Sequence, residues 1–398
     1  MEVVEDIVIA GAGLAGLTTA LGLHRLGIPS LVLESSDGLR TTGFAILTWN
    51  NAWKALDAVG VGDTLRQQHK QFQRYSVYSL VSSKISSELL LKEHEVRCLK
   101  RNLLIEALEK ELPKGTIRYS SKVVSIEESG HFKLVHLANG TIIKTKVLIG
   151  CDGVNSVVAK WLGFDQPVFS GRLAIRAYVD LKGHGHEFEP DVIQFFGNGF
   201  RTGFIPCDHQ TVYWFLTYTS SSHDKELEEN PAKLKQFAST NLGNLPEKLK
   251  SVVENTNLEN IITSPLKYRR PWDLLWGNIS KGNVCVAGDA LHPMTPEIGQ
   301  GGCSALEDGV VLARCLAEAF SKPGEDEWKR IEMGLEKYAR ERRWRSIELI
   351  CTSYTVGGIQ QAGGKIINFL RDLFLNKILV GFIFGRAGFD CGKLYVSS

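Results

Sequence analysis

The sequence predicts an α/β protein: a parallel, nucleotide-binding layer, an inserted antiparallel sheet and a C-terminal helical segment. Three observations predict it. The chain opens as strand, glycine loop, helix, strand; its middle alternates apolar and polar residues; and the buried-strand pattern returns about 250 residues after the chain first leaves it.

Asp6-Ile7-Val8-Ile9-Ala10 is a short apolar run of the kind buried in parallel sheets. Leu14 to Leu26 reads as an apolar helix and Ser30 to Glu34 as the next strand, which completes a βαβ start of Rossmann-like type. Asn102 to Leu112 is an amphipathic helix stopped by Pro113. Asn139-Gly140, between Phe132–Leu137 and Thr141–Ile149, is a two-residue hairpin signal. Gly171 to Thr219 alternates, with turns at Gly183-His184-Gly185 and Gly197-Asn198-Gly199, as an antiparallel sheet would. Pro231 to Asn255 reads as charged helix, Val284 to Gly288 as one more buried strand, and Cys303 to Phe320 as a helix. The expected division is 1–72, 97–170 and 273–345 for the nucleotide-binding domain, 73–96 and 171–272 for a substrate domain, and 346–398 for the helical segment.

Composition narrows the function. The 398 residues are 43% hydrophobic and 23% charged, ordinary for a globular protein and unlike a disordered chain. A net charge of +2 gives no reason to expect a nucleic acid partner. The eight cysteines form no CxxC pair and no zinc spacing, which suggests a reducing, cytoplasmic setting. His184-Gly185-His186 lacks a third ligand, so no metal site is expected. No leader fits ahead of the first strand, and no apolar run reaches the length of a membrane span. The runs Ile366–Leu370 and Ile378–Phe384 are expected to pack on the body or on a second subunit, with shallow membrane contact as the alternative; monomer and homodimer both stay open. Arg340 to Arg345 reads as a solvated helix face.

Three motifs carry chemistry. In Gly11-Ala12-Gly13-Leu14-Ala15-Gly16 the first glycine permits the tight turn, the second lets the backbone approach a pyrophosphate, and the third lets helix and strand pack closely. The helix N-terminus then offers free N–H groups to phosphates. Glu34 ends the second strand 18 residues after Gly16, where an acid can bind ribose hydroxyls. The second motif is Gly150-Cys151-Asp152-Gly153, at the end of a buried strand. The third runs Gly288-Asp289-Ala290-Leu291-His292-Pro293, then Pro296 and Gly299-Gln300-Gly301-Gly302. An Asp at a strand end can accept from a polyol hydroxyl, and a glycine-rich turn opening a helix can meet an anion.

In this order the motifs resemble those of the group A FAD-dependent aromatic hydroxylases, which share the fold of para-hydroxybenzoate hydroxylase, and most of all a plant branch related to salicylate and 3-hydroxybenzoate hydroxylases. The resemblance spans nearly the whole chain. It implies that Gly11, Gly13, Ala15, Gly16 and Glu34 hold the ADP half of FAD, that Arg101 helps hold the cofactor, and that Asp152 and Gly153 serve FAD and a pyridine nucleotide. It also implies that Asp289 binds the ribityl chain, that the Pro296 carbonyl lies near the reactive flavin carbon, and that Gly299, Gln300, Gly301 and Gly302 lie beside the ring. Two positions depart from the family pattern: Val158 or Ala159 stands where an arginine often closes the second motif, and Cys303 stands where asparagine often follows the glycines. Cys303, opening a helix, is either a thiol of lowered pKa or a small packing residue.

The resemblance implies a reaction as well: NADH or NADPH reduces FAD, dioxygen adds to give a C4a-hydroperoxide, and one oxygen passes to a small aromatic or phenolic substrate. The alternative is an FAD-dependent oxidase or epoxidase acting on an alkaloid, indole or isoprenoid. Substrate contacts are expected from the inserted sheet, at Arg176, Gln194, Phe196, Arg201, Tyr213 and Phe215, with Arg176 and Tyr213 assigned to the catalytic group alongside Pro296. Alternation puts Tyr213 and Phe215 on one face and Trp214 on the other.

Overall fold

The computed structural model describes residues 4–39, 45–80, 85–181, 185–197, 199–220, 230–321, 326–361 and 376–394. Five strands of its first sheet run parallel, in the order Val284–Val286, Ile142–Gly150, Val4–Ala10, Leu31–Leu33 and Ile117–Arg118. The segments Val147–Gly150, Ile7–Ala10 and Val32–Leu33 at their carboxyl ends are apolar and buried, as in strands covered on both faces. Phe132–Leu137 pairs antiparallel with Ile142–Gly150 through the hairpin signalled by Asn139-Gly140, and Val123–Ser129 pairs antiparallel with Phe132–Leu137 in turn.

Register positions the site. Ala10 lies opposite Gly150 on one side and Leu33 on the other, and Gly150 lies opposite Val286. Four adjacent parallel strands therefore end level, and Gly11, Glu34, Cys151 and Ala287 begin their loops at the same carboxyl edge. Ligands of open α/β sheets bind at that edge.

The second sheet has the order Ile261–Tyr268, Val168–Asp180, Thr211–Thr219, Phe200–Pro206, Asp191–Gly197, Arg74–Ser79, Ile85–Leu90. It is mixed rather than antiparallel throughout, because Asp191–Gly197 pairs in parallel with Arg74–Ser79, a strand contributed from far upstream. Its outer face packs Leu173, Ile175, Trp214 and Leu216 against two helices, Pro231–Asn241 and Glu247–Glu254. The helical stretch expected over 231–255 is these two helices, separated at 242–246.

Helix Gly301–Ser321 packs closely on Leu14–Arg25. A Cβ on Gly309 would lie 2.6 Å from Thr18 Cβ, and one on Gly22 2.7 Å from Ala313 Cβ. Helix Glu327–Gln361 runs through position 346 without a break. Of the apolar C-terminal runs, Ile366–Leu370 lies outside the described residues. Helix Asn376–Arg386 is present, with Phe384 buried and set edge-on to Trp49 and Tyr75. Among the described residues no helix is long and apolar enough to cross a membrane. His184 lies outside the described residues, and no group of metal-ligating side chains occurs among them.

Candidate active site

Three adjoining cavities of about 420, 470 and 290 Å³ form one cleft between the sheets, joined through shared walls at Arg101 and Gly153 and then at Arg176, Tyr213 and Asp289. The first begins at Gly11–Gly13. Gly11 holds a left-handed φ of 101°, and a Cβ there would lie 2.4 Å from Cys151 O. A Cβ on Gly16 would lie 2.0 Å from Gly11 O, so helix and loop touch only because this residue is glycine. Gly13 caps Leu14–Arg25 without any side-chain hydrogen bond, leaving the first helical amides to a ligand.

Glu34 is buried, and its Oε2 accepts from Ala12 N–H at 2.9 Å while Oε1 accepts from Ser36 N–H at 2.9 Å. The carboxylate braces the glycine loop from the wall of the first cavity. Asp152 has a comparable double task. It lines the cavity, and it caps helix Val157–Trp161, accepting from Val157 N–H at 2.7 Å and Ser156 Oγ at 2.5 Å. Burial raises its carboxyl pKa, and these hydrogen bonds pull it back. Val158 and Ala159 are both buried, with Val158 Cβ 2.5 Å from where Gly150 would carry a Cβ. The family arginine is thus replaced by core contacts.

Around the second cavity, Gly288 at φ 59° passes Ala15 so closely that a Cβ would lie 2.9 Å from the alanine methyl. Asp289 is open to the cleft but ringed by protein. That surrounding raises its pKa, and the positive fields of His292, Arg101 and Arg176 oppose the shift.

The third cavity is roofed by the turn Pro296–Ile298, which ends at Gly299 with φ 62°. Gly299 faces Trp49, whose Nε1–H has no partner among the described residues, and Gln300 Nε2 is likewise buried without an acceptor among them. Gln300 Oε1 is fixed by Asn51 Nδ2 at 2.7 Å. The opposite wall carries Arg176, Gln194, Arg201, Tyr213 and Phe215 from the inner face of the second sheet. Tyr213 and Phe215 share this face, and Trp214 lies on the other, donating to Thr256 Oγ1 at 2.9 Å. Phe196 does not reach the cavity; it is buried farther along in the core. Arg176 donates to Ser264 Oγ at 2.8 Å. Burial pushes the Tyr213 phenol up to about 12, so it is a neutral donor at neutral pH. Arg201 is 3% exposed, donates Nε–H to Gln194 Oε1 at 3.2 Å, has the Tyr75 phenol beside its guanidinium and lies 4.9 Å over the Phe215 ring, while its Nη1 has no partner among the described residues.

Two supports were not legible in the sequence. Glu297, inside the roofing turn, is buried and receives Arg172 Nη1 of the second sheet at 2.6 Å. Beneath the glycines lies a buried ionic cluster. Arg342 Nε donates to Asp308 Oδ1 at 2.5 Å and its Nη2 to Glu307 Oε2 at 2.7 Å; Arg345 Nη2 reaches Glu307 Oε1 at 2.8 Å, and His292 Nε2 meets Asp308 Oδ2 at 2.6 Å. The expected solvated face at 340–345 is therefore corrected. Arg340 is exposed, but Arg342 and Arg345 point inward because Glu307 and Asp308 on the facing helix need counter-charges. Cys303 is fully buried and its thiol pushed up to about 12 by burial, which settles it as a packing residue.

The cleft has the parts a flavin dinucleotide requires: a glycine cradle with free amides, acids at successive strand ends, and unpaired donors at Trp49 and Gln300 beside the open glycines. Fold and site together define an FAD-dependent oxidoreductase. Residues 5–353 match the family model described as FAD binding domain, and the chain belongs to this family of group A flavoprotein hydroxylases. It is 57% identical to Monooxygenase 2 of Arabidopsis thaliana, with 98% of each chain covered, and 39% identical to Monooxygenase 1 of the same plant, with 98% of this chain and 99% of the relative covered. Among solved structures it is similar to Klebsiella pneumoniae HpxO complexed with FAD and uric acid, with a TM-score of 0.82 over 96% of each chain; at 21% identity that likeness is one of fold.

Proposed function

We propose that this flavoprotein monooxygenase uses NADH or NADPH and dioxygen to hydroxylate a small aromatic compound bearing an anionic or strongly accepting group. The observation that carries this reading is the unpartnered Nη1 of buried Arg201 in the wall of the third cavity. A buried guanidinium atom without an acceptor costs free energy unless a ligand supplies one. A carboxylate or phenolate does so with a charge-assisted hydrogen bond. The ring of such a ligand would pack on Phe215, within reach of Tyr213 and Gln194 and facing the Pro296–Gly299 turn.

When bound, FAD would supply reduction by the nicotinamide nucleotide and the activation of dioxygen. This chain's residues do the rest. Gly11, Gly13, Ala15 and Gly16 seat the pyrophosphate, Glu34 the ribose side, and Arg101, Asp152, Gly153 and Asp289 line the middle of the cleft. Gly299, Gln300, Gly301 and Gly302 bound the ring end. Arg176 and Tyr213 stand at the junction of second and third cavities, where ring and substrate would meet. Residues 73–96 and 171–272, which carry most of the second sheet, would act as the substrate domain on a cofactor domain of 1–72, 97–170 and 273–345. Helix Glu327–Gln361 runs from the cofactor domain into the 346–398 segment.

The test is anaerobic bleaching of the flavin by NADH and by NADPH, with and without a panel of aromatic acids and phenols, in wild type and Arg201→Met. Losing one charge-assisted hydrogen bond, about 1.5–3 kcal/mol, should raise the half-saturating concentration of an accelerating aromatic acid by roughly 10- to 150-fold and leave flavin retention unchanged. Unchanged saturation in Arg201→Met would refute the assignment. Bleaching by a panel compound with no nicotinamide present would replace hydroxylation with the oxidase reading.

A further inference from the structure

Cys98 and Cys207 are 109 residues apart in sequence, yet their sulfur atoms lie 3.2 Å apart. Cys98 sits on strand Arg97–Lys100 and Cys207 directly follows strand Phe200–Pro206. The two segments are pinned. Lys100 Nζ meets Asp208 Oδ2 at 2.6 Å, and Cys207 N–H donates to Thr211 O at 2.8 Å. Burial alone would raise the Asp208 carboxyl, but Lys100 and the Gln210 and Thr211 amides hold it down at about 2, so the pin persists across the neutral range. Both thiols are buried, and each borders a cavity. Cys98 is in the wall of the third cavity beside Ile205 and Tyr213; Cys207 is in the wall of a separate cavity of about 110 Å³, with Lys70 and His186.

We propose that Cys98 and Cys207 are a peroxide-oxidisable dithiol, a modification site in the wall of the third cavity that cross-links the two-stranded sheet of Ala45–Thr48 and Arg97–Lys100 to the inserted sheet. The oxidant is hydrogen peroxide. The Cys98 sulfur, reached from the cavity, attacks one peroxide oxygen; the O–O bond breaks, giving a sulfenic acid and one water. The Cys207 thiol then attacks that sulfur, the S–O bond breaks, and a second water leaves with the disulfide. Two thiols are oxidised by two electrons and one peroxide is reduced to two waters. Burial pushes the Cys98 thiol well above its ordinary value, so little thiolate forms and the first step needs sustained peroxide. The second step is favoured because the resolving sulfur is already in contact. A flavin bound in the cleft would supply peroxide whenever oxygen transfer failed; only that local source rests on the monooxygenase reading.

The test uses the full-length holoenzyme carrying Cys351→Ser, which removes the exposed thiol. After treatment with hydrogen peroxide the protein is denatured, alkylated and mapped by mass spectrometry without reductant. Of the eight cysteines seven then remain, and the alkylatable count should fall from seven to five, with a peptide joining Cys98 to Cys207 that dithiothreitol releases. Adding Cys98→Ser or Cys207→Ser should abolish the cross-link. Seven alkylatable thiols after treatment, or a disulfide mapped to other cysteines, would overturn the proposal. A second arm replaces added peroxide by NADH or NADPH in air without aromatic substrate. Cross-linking there locates the oxidant at the flavin, whereas cross-linking by added peroxide alone upholds the dithiol and excludes the flavin as its peroxide source.

Discussion

Arg342→Met isolates the buried ionic cluster under Gly299 to Gly302. The substitution keeps most of the side-chain volume and removes a guanidinium that holds Asp308 Oδ1, Glu307 Oε2 and, at 2.9 Å, Ser304 Oγ, all in the interior. Glu307 retains Arg345, and Asp308 retains His292 and the Gly288 amide, so neither acid is stranded, but two carboxylates then share fewer charges in a dry site. Breaking a buried pair by removing one partner costs about 3–5 kcal/mol. Unfolding entropy near 2.1 cal/mol/K per residue gives ~0.8 kcal/mol/K for 398 residues, so that cost lowers Tm by about 4–6 °C. Differential scanning calorimetry of the holoenzyme at pH 7 reads this directly.

The pH dependence supplies a second readout. Glu307 and Asp308 are held below their ordinary values: burial would raise both, and Arg342 with Arg345 at the first, and His292 with Arg342 at the second, outweigh it. A carboxylate depressed on folding stabilises above its unfolded pKa of about 4, and that contribution is lost as pH falls through the folded value. Acid unfolding of Arg342→Met should therefore begin at higher pH than in wild type. A Tm within about 1 °C of wild type, with an unchanged acid midpoint, would refute the claim that this cluster contributes to stability.

Two further outcomes test the cofactor cleft. Gly16→Ala places a methyl 2.0 Å from the Gly11 carbonyl oxygen; forcing the loop away costs ~1–3 kcal/mol or more, and the variant should purify with little flavin, measured as flavin absorbance per chain. Glu34→Gln removes the charge that receives the Ala12 amide, and the apoprotein should bind FAD at least about tenfold more weakly in a fluorescence titration, since one charge-assisted hydrogen bond is worth about 1.5–3 kcal/mol and about 1.4 kcal/mol is tenfold.

The cofactor half of this protein was legible in the sequence because its determinants are local. Strand, glycine turn and helix lie next to each other in the chain, and a φ of 101° at Gly11 or a contact that excludes any Cβ at Gly16 marks its position by residue type. Alternation was enough to put Tyr213 and Phe215 on one face and Trp214 on the other. What depends on pairing between distant segments was not legible. The parallel partnership of Asp191–Gly197 with Arg74–Ser79 leaves no mark in either strand. A run such as Arg340–Arg345 reads as solvated because charge alone does not say which side chains meet Glu307 and Asp308 on another helix. Arg172 and Glu297 are 125 residues apart, Cys98 and Cys207 109, and neither pair has a spacing that announces it. Sequence determined which loops can cradle a dinucleotide, since backbone geometry restricts residue type locally. Tertiary structure alone decided which charges are buried, which arginine lines the cavity with a guanidinium nitrogen left over and which thiols touch, since burial and contact are properties of the packed chain.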